Sequence, residues 1–201
     1  MGFVIKKCRA YGKSLIDKSL DNSKKLSSKL LEGSDFLSEA PNFQGELIIP
    51  GLFELECEVF TDSRGSSFEA YSERIFSELG INSPFVQDNM SSSKKNVLRG
   101  LHFQTKHPQS KLIHCVRGKI FDVALDLRKT SPTFGLHSAL IMDGEKQNML
   151  FIPKGFAHGF LSLCENSILS YKCSDFYDPE GEGGILWNDK SLFIEIGRAH
   201  V

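Results

Sequence analysis

From about residue 45 onward, the chain is divided into short runs of β-branched, aromatic and aliphatic residues, separated by Gly, Pro, Asn and Asp at close intervals. Such runs are typical of strands, and many short strands with turn residues between them predict a β-sandwich or β-barrel. The runs that fit strands are 47–49, 52–60, 68–71, 85–86, 111–116, 120–127, 134–142, 149–152, 159–163 and 168–173. The predicted fold class is therefore all-β.

One helix is predicted within this β region, at residues 72–79. Ser72 is a suitable N-cap, because its side-chain oxygen can accept a hydrogen bond from the first turn. Gly80 is a suitable stop, because glycine readily adopts the left-handed conformation that often follows a helix. The β region is therefore expected to carry only a few short helices.

The two ends of the chain differ from the β region. Lysine and serine dominate residues 1–44, and the leucines there show only a loosely helical spacing, so we expect an N-terminal extension that is marginally helical or disordered. The β domain is expected to span 45–195. Residues 196–201 abandon the strand alternation and match the translation of a common sequencing adapter, so we expect an artefactual tail after a β domain truncated at its C-terminal end.

Charge and composition argue against several classes of protein. With 24 basic and 25 acidic residues the formal net charge is −1, so the chain lacks the cationic surface that binds nucleic acid or anionic membranes. Its apolar runs are too short to span a bilayer, and its start lacks the apolar core of a signal peptide, so the cytoplasm is the expected location. Five cysteines without a C-x-x-C pair favour neither a disulfide framework nor a zinc ribbon.

Residues 96–104 concentrate side chains that can do chemistry. Arg99 and Gly100 precede His102 and Gln104, and Lys111 follows seven residues later. Side chains on a strand repeat every two residues, so a base, an amide and cationic groups are expected to line one face. This pattern predicts a site for an anionic molecule. A hydrogen-bonded structural histidine is the alternative interpretation of His102.

Two histidine-bearing turns in a small β-barrel resemble the cupin architecture, in which a metal is usually held by three His and one Glu. Here Gln104 stands where a second ligand His would be, and no Glu follows at ligand spacing before Lys111. Because metal sites need complete ligand sets, we expect a metal-free pocket. A metal-dependent dioxygenase of the cupin class stays an alternative, which bound iron or nickel would identify.

A series of motifs makes the resemblance specific. They lie at 60–65, 68–69, 85–89, 97–104, 111–112, 121–128, 131–135, 152–160, 171–172 and 187–189. Over residues 45–195 they resemble the dTDP-4-dehydrorhamnose 3,5-epimerase family, cupin-fold enzymes of dTDP-L-rhamnose biosynthesis. The resemblance implies a cupin-type β-barrel or jelly roll, an isomerase that needs no cofactor, and a dTDP-sugar substrate epimerised at C3 and C5.

The resemblance also implies a role for each matching residue. His102 would be the base, Tyr171 the acid, and Lys111 would stabilise the enolate and contact substrate. The residues implied to bind substrate are Arg64, Glu69, Gln87, Asp88, Asn89, Arg99, His158, Tyr177 and Glu182. Arg64 and Glu69 would reach the partner subunit's pocket from an exchanged strand, which implies a homodimer. Asp122 and Arg128 are expected to pair with each other outside the site.

Two departures from the family pattern bear on activity. Ser66 and Ser67 stand where relatives usually carry bulky residues. The aspartate that orients the family's histidine base belongs to a C-terminal segment that this sequence does not contain, so reduced turnover is expected. A 3-only or 5-only epimerase of another deoxysugar, and an inactive protein that binds a sugar nucleotide, are the alternatives.

Overall fold

The computed structural model of the chain describes residues 3–9 and 48–196. Within them it contains strands β1 Phe3–Arg9, β2 Ile48–Cys57, β3 Phe60–Asp62, β4 Gly65–Ser67, β5 Gln87–Ser93, β6 Leu98–Gln104, β7 Lys111–Arg117, β8 Lys119–Asp126, β9 His137–Asp143, β10 Asn148–Ile152, β11 Phe156–Ser162, β12 Ser167–Cys173 and β13 Glu182–Gly184, with helix α1 at Glu73–Glu78. The all-β prediction is confirmed. The α1 helix is too short and polar to cross a membrane, and the same holds for every helix of the described residues.

Two antiparallel sheets form the domain. The six-stranded sheet has the order β1-β2-β10-β7-β12-β5, and the five-stranded sheet has the order β13-β6-β11-β8-β9. Strands β3 and β4 form a separate two-stranded hairpin. Apart from the consecutive pairs β1–β2 and β8–β9, neighbours in the two large sheets are not consecutive along the chain, so most of the order arises from long-range pairing.

Period-two alternation divides the apolar side chains into layers. On β8, Ile120 and Ala124 belong to a cluster that draws residues from both sheets, whereas Val123 and Leu125 belong to a second cluster with β6. On β10 every residue is buried, because both faces of this central strand are covered. Phe76 of α1 packs in a third cluster against the six-stranded sheet. The space between the sheets is thus the main core.

Helix α1 confirms the predicted helix near residues 72–79. Ser72 occupies the N-cap position, but its side chain makes no capping hydrogen bond, so that detail of the prediction is wrong. The Gly80 N–H donates to the Ser77 carbonyl, and the φ of +82° at Gly80 fits the predicted stop. Packing of Phe76, which is 1% exposed, rather than capping holds this helix in place.

The N-terminal prediction is wrong for the first described segment. Residues 3–9 form β1, which pairs antiparallel with β2 in a register that places Phe3 opposite Cys57. Phe3 also contacts Phe76 edge-on, with ring centroids 5.2 Å apart. An apolar run beside an open sheet edge gains more from pairing and packing than from helix formation. The helical or disordered extension predicted for the rest of 1–44 lies outside the described residues.

Two predicted strands are wrong, at 68–71 and 85–86, because neither segment has strand structure. Their aromatic residues serve another purpose: Phe68, Tyr71 and Phe85 pack against the cluster around Phe76. The predicted tail at 196–201 is described only at Ile196, which is 3% exposed and packs on the five-stranded sheet. The rest of that prediction lies outside the described residues.

Candidate active site

A cavity of about 370 Å³ opens between the two sheets near their β5 and β6 strands. Its lining is Gln87, Asn89, His102, Phe103, Gln104, Gln109, Lys111, Tyr171, Cys173, Tyr177 and Glu182. These side chains come from five strands and two loops. Seven residues predicted from the sequence therefore meet in one place: Gln87, Asn89, His102, Lys111, Tyr171, Tyr177 and Glu182.

A bulge in β6 shapes the wall that carries the histidine. His102 pairs with His158 of β11, but Arg99 pairs with Phe160, so β6 holds one more residue than β11 over this span. Residues three apart would face opposite sides of a regular strand; with the bulge, both Arg99 and His102 are exposed. The bulge thus lets both side chains reach the surface although they are three residues apart.

Glycine makes the bulge sterically feasible. Gly100 has φ +121°, and a Cβ on it would lie 2.7 Å from the carbonyl oxygen of His158. Gly159 faces it, and a Cβ there would lie 2.7 Å from the carbonyl oxygen of Arg99. A methyl group on either residue would collide with the facing backbone, so this close approach of β6 and β11 requires glycine at both positions.

A carboxylate lies beside the candidate base. His102 Nδ1 is 3.4 Å from Glu182 Oε1, because β13 pairs with β6 and brings Glu182 next to the histidine. The other oxygen of Glu182 accepts a hydrogen bond of 2.7 Å from the Tyr177 hydroxyl. Sequence reasoning expected His102 to lack an orienting carboxylate; within the described residues, Glu182 occupies a position from which it can favour one imidazole tautomer.

Lys111 and Tyr171 form the opposite wall on neighbouring strands. The ammonium nitrogen of Lys111 lies 5.9 Å from the centroid of the Tyr171 ring. Burial lowers the pKa of Lys111, and the charges of Asp122 and Glu182 oppose that shift. Burial raises the pKa of Tyr171, while Arg99 opposes the shift. Tyr171 is therefore protonated at neutral pH and can act as an acid.

Amide and aromatic groups surround the outer end of the cavity. The Gln87 side chain accepts a hydrogen bond of 3.0 Å from the Tyr177 backbone N–H and donates one of 3.0 Å to Asn89 Oδ1. Tyr177 is 51% exposed, and the adjacent Phe176 is 66% exposed. Exposed aromatic rings can stack on a planar heterocyclic ring, and the neighbouring amides can form hydrogen bonds with its edge.

Other predicted site residues lie outside this cavity. Arg64 is at the tip of the β3–β4 hairpin, where it pairs with Asp62. Glu69 follows that hairpin and does not line the cavity. Asp88 projects from the outer face of β5 and accepts a 2.8 Å hydrogen bond from Lys172, whereas its neighbours on β5 face inward. Arg99 binds β5 instead of lining the cavity wall.

His158 belongs to a buried pair behind the site. Its Nε2 atom is 2.9 Å from Asp122 Oδ2, and both side chains are nearly inaccessible. The predicted pairing of Asp122 with Arg128 is wrong, because Arg128 pairs instead with Asp126 at 2.7 Å. The sequence analysis placed Asp122 outside the site and did not predict its pairing with His158, although an acid on the inner face of a mostly apolar strand was an available signal.

The donor set does not form a metal site within the described residues. Among them, no group of three or more His, Cys, Asp or Glu side chains is arranged to hold a metal ion. Gln104 takes the second position on the face of β6 after His102, and Glu182 is the one carboxylate beside His102 in the part of the chain that the structure describes. The metal-free and cofactor-free site stays a prediction.

The described architecture defines an acid–base enzyme on a jelly-roll barrel, because an imidazole, a protonated phenol and a half-buried lysine amine line one cavity between two sheets. A family model described as dTDP-4-dehydrorhamnose 3,5-epimerase matches residues 46–201. The chain belongs to the dTDP-4-dehydrorhamnose 3,5-epimerase family. This result confirms the predicted family.

Individual relatives agree with the family assignment. The dTDP-4-dehydrorhamnose 3,5-epimerase of Salmonella typhimurium is 51% identical over 149 residues, which cover 73% of this chain and 81% of the relative. The crystal structure of the Elizabethkingia anophelis epimerase matches with a TM-score of 0.71 and 45% identity, covering 74% of this chain and 82% of that one.

A ligand-bound structure is also similar. It is the Legionella pneumophila dTDP-6-deoxy-D-glucose-3,5-epimerase in complex with dTDP-4-keto-L-rhamnose, with a TM-score of 0.71 and 42% identity, covering 79% of this chain and 84% of that one. With these neighbours the predicted cupin-type jelly roll is confirmed, and the chain is similar to isomerases throughout the β domain.

Proposed function

We propose that the chain epimerises dTDP-4-dehydro-6-deoxy-D-xylo-hexose at C3 and C5 to dTDP-4-dehydro-L-rhamnose, a reaction of dTDP-L-rhamnose biosynthesis. The observation that carries the proposal is the meeting of His102, Lys111 and Tyr171 around one cavity. Relatives named as dTDP-4-dehydrorhamnose 3,5-epimerases, one of them 51% identical, support it.

The chemistry needs three groups, and the cavity contains all three. The protons at C3 and C5 are acidified by the neighbouring carbonyl, but they are still weak acids that require a base. His102 takes the proton, with Glu182 beside its Nδ1 atom. Lys111 stabilises the enolate oxygen, where a buried cation can contribute about 3 kcal/mol. Tyr171 returns a proton from the opposite wall.

The nucleotide end has a separate set of groups. Tyr177 provides an exposed ring for the thymine, and Gln87 and Asn89 provide amides next to it. Arg99 provides a guanidinium for the diphosphate, since planar donors suit phosphate oxygens. His158 supports the reactive wall from behind, through its strand pairing with His102.

We also propose a homodimer that completes the site. Residues 58–67 are all exposed, and Val59 and Phe60 are apolar residues among them with 38% and 46% exposure. A projecting hairpin with exposed apolar residues is suited to pack on a second copy, which would carry Arg64 and Glu69 to the partner's cavity. Analytical ultracentrifugation should show a dimer, and Phe60→Asp should shift it towards monomer. A monomeric wild-type chain would contradict this part.

Incubation with the substrate in deuterated water tests the reaction. Deuterium at both C3 and C5 is the expected result. Deuterium at one carbon would identify a 3-only or 5-only epimerase, and deuterium at neither would overturn the proposal. Calorimetry with dTDP tests the alternative of an inactive binding protein. Such a protein would bind dTDP but would incorporate no deuterium into the substrate. Metal analysis that finds stoichiometric iron or nickel would favour the dioxygenase alternative.

A cytoplasmic location stays a prediction. Fractionation of the source cells, with detection of the chain by antibody, would test it.

A further inference from the structure

The Arg99 guanidinium is tied to the neighbouring sheet by two hydrogen bonds. Its Nε atom donates to Ser93 Oγ at 3.0 Å, and its Nη2 atom donates to the Ser92 carbonyl at 3.3 Å. Arg99 lies on β6 of the five-stranded sheet, whereas both acceptors lie on β5 of the six-stranded sheet. The two strands are not paired by their backbones, so this side-chain contact links them.

The two bonds leave a defined part of the guanidinium free. A guanidinium has five N–H donors in a planar fork. Nε and one donor of Nη2 are directed at β5, and no residue within 3–9 or 48–196 accepts a hydrogen bond from the edge formed by Nη1 and the rest of Nη2. Arg99 is exposed, so this edge can meet an anion from solvent. Two parallel donors on one edge match the two oxygens of a phosphate group.

Ser93 is the fixed end of this contact. Its side chain is 4% exposed, while the rest of β5 alternates between inward and outward residues. By that alternation Ser93 shares the inner face of β5 with Gln87 and Asn89, which line the cavity. A buried hydroxyl has few alternative positions, so it holds the guanidinium in one orientation relative to the cavity.

We propose that Ser93 is a positioning residue, whose hydroxyl orients Arg99 so that the free edge of the guanidinium binds the diphosphate of the nucleotide sugar. The inference rests on the proposed function, and it assigns to Ser93 a role that the sequence motifs did not indicate. Ser93 does not contact the reacting atoms; it acts through Arg99.

The position of Arg99 also bears on the acid Tyr171. Burial is the largest influence on the pKa of Tyr171 and raises it, and the neighbouring Cys173 and Glu182 raise it further. Arg99 lowers that pKa. Lys111 is a further charged group close to the ring, with its ammonium nitrogen 5.9 Å from the ring centroid. If Arg99 is released from β5, its cation is free to move away, and the pKa of Tyr171 should rise.

Three variants test the inference in the full chain. Ser93→Ala removes the acceptor. Ser93→Thr keeps a hydroxyl at the same place. Ser92→Ala is the matched control, because it removes an outward hydroxyl from the adjacent residue and leaves the main-chain carbonyl that Arg99 uses. The probes are dTDP binding by calorimetry and the pH dependence of epimerisation.

Ser93→Ala should weaken dTDP binding about tenfold, the effect of losing one hydrogen bond to a charged group. Its KM should rise more than its kcat falls, and the alkaline limb of kcat should move to higher pH. Ser93→Thr should restore most of the affinity, and Ser92→Ala should match the wild-type chain. If Ser93→Ala does not fold, Ser93→Cys replaces it, since the thiol has similar volume and is a poor acceptor.

Two results would overturn the inference. One is equal dTDP affinity for Ser93→Ala and Ser92→Ala. The other is weakened binding with an unmoved alkaline limb, because a merely structural defect would lower affinity without acting on Tyr171. A wild-type chain that exchanges no protons with the substrate would instead contradict the proposed function, and the dTDP affinities would still decide the role of Ser93.

Discussion

Two histidine–carboxylate pairs lie side by side in this domain, and they differ in burial and in the distance between the partners. His102 and His158 are opposite each other on β6 and β11. The His158 side chain is 9% exposed and bonds Asp122, which is 0% exposed, at 2.9 Å. The His102 side chain is 56% exposed and lies 3.4 Å from Glu182, which is 38% exposed.

The difference indicates separate duties for the two pairs. A short ion pair or hydrogen bond in a dry interior has a fixed geometry. Loss of one partner lowers the free energy of unfolding, because the other partner is left buried and unsatisfied. A longer contact at the open side leaves the imidazole accessible to substrate and free to exchange a proton. We therefore expect substitutions in the outer pair to change activity and substitutions in the inner pair to change stability.

The largest expected effect is on activity at the outer histidine. His102→Ala should lower kcat by about a thousandfold, because it removes the proposed general base, and should leave the melting temperature nearly unchanged. His107→Ala is the matched control, since His107 is 60% exposed, lies 3.9 Å from a carboxylate of Asp175 and is outside the cavity. Steady-state kinetics and thermal unfolding give both readouts. Retained turnover in His102→Ala would contradict its role as base.

The inner pair should show the reverse pattern. Asp122→Ala should lower the free energy of unfolding by about 3 kcal/mol, because it leaves a buried imidazole without its partner. Asp88→Ala removes an ion pair of similar length, but Asp88 is 64% exposed, so the loss should be under about 1 kcal/mol. Urea unfolding followed by fluorescence measures both. Equal losses would show that burial does not distinguish the two pairs.

The bulge that aligns the two histidines can be tested at glycine. Gly100→Ala should lower the free energy of unfolding by about 2 kcal/mol more than Gly65→Ala, and it should also reduce kcat. Both glycines have a positive φ, +121° and +127°, but a Cβ at Gly65 meets nothing within 4 Å, whereas one at Gly100 meets the backbone of β11. The difference between the variants isolates the collision from the backbone strain. Similar losses of stability in the two variants would show that the positive φ, and not the collision with β11, causes the destabilisation.

The sequence predicted the histidine of the outer pair and missed the inner pair. His102, Lys111 and Tyr171 could be assigned because they occupy motifs that match the family. Asp122 was paired with Arg128 instead, because sequence spacing does not reveal which residue of a distant strand will face it. Arg128 turns back to Asp126, and His158 reaches Asp122 from β11. Register between distant strands is set by long-range packing, which composition does not encode.

The strands show the same limit. The apolar runs predicted most of the large sheets, because alternation follows burial on two faces. The polar strand β5 was missed, since its inward residues face the cavity and its sequence reads as a loop. The aromatic residues at 68, 71 and 85 were assigned to strands, although they cover α1. When a strand lines a site, its inward residues are polar, so the apolar alternation that identifies a strand in the sequence is absent.

The smallest expected effect concerns the carboxylate of the outer pair. Glu182→Gln should lower kcat about fivefold, because an exposed contact of 3.4 Å contributes only about 1 kcal/mol to orienting the imidazole. Glu180→Gln is the control, since Glu180 pairs with Lys106 at the surface outside the cavity. A loss of a hundredfold or more would show that the outer pair contributes more to catalysis than its exposed 3.4 Å contact indicates.

The pH profile of the same variant separates orientation from charge. Glu182 raises the pKa of both Tyr171 and Lys111, so neutralising it should lower both values. The proposed mechanism requires the protonated phenol and the ammonium, so the alkaline limb of kcat should move to lower pH, opposite to the shift expected for Ser93→Ala. An alkaline limb that moves upward in Glu182→Gln would mean that neither Tyr171 nor Lys111 controls it, and the assignment of these two groups would then fail together.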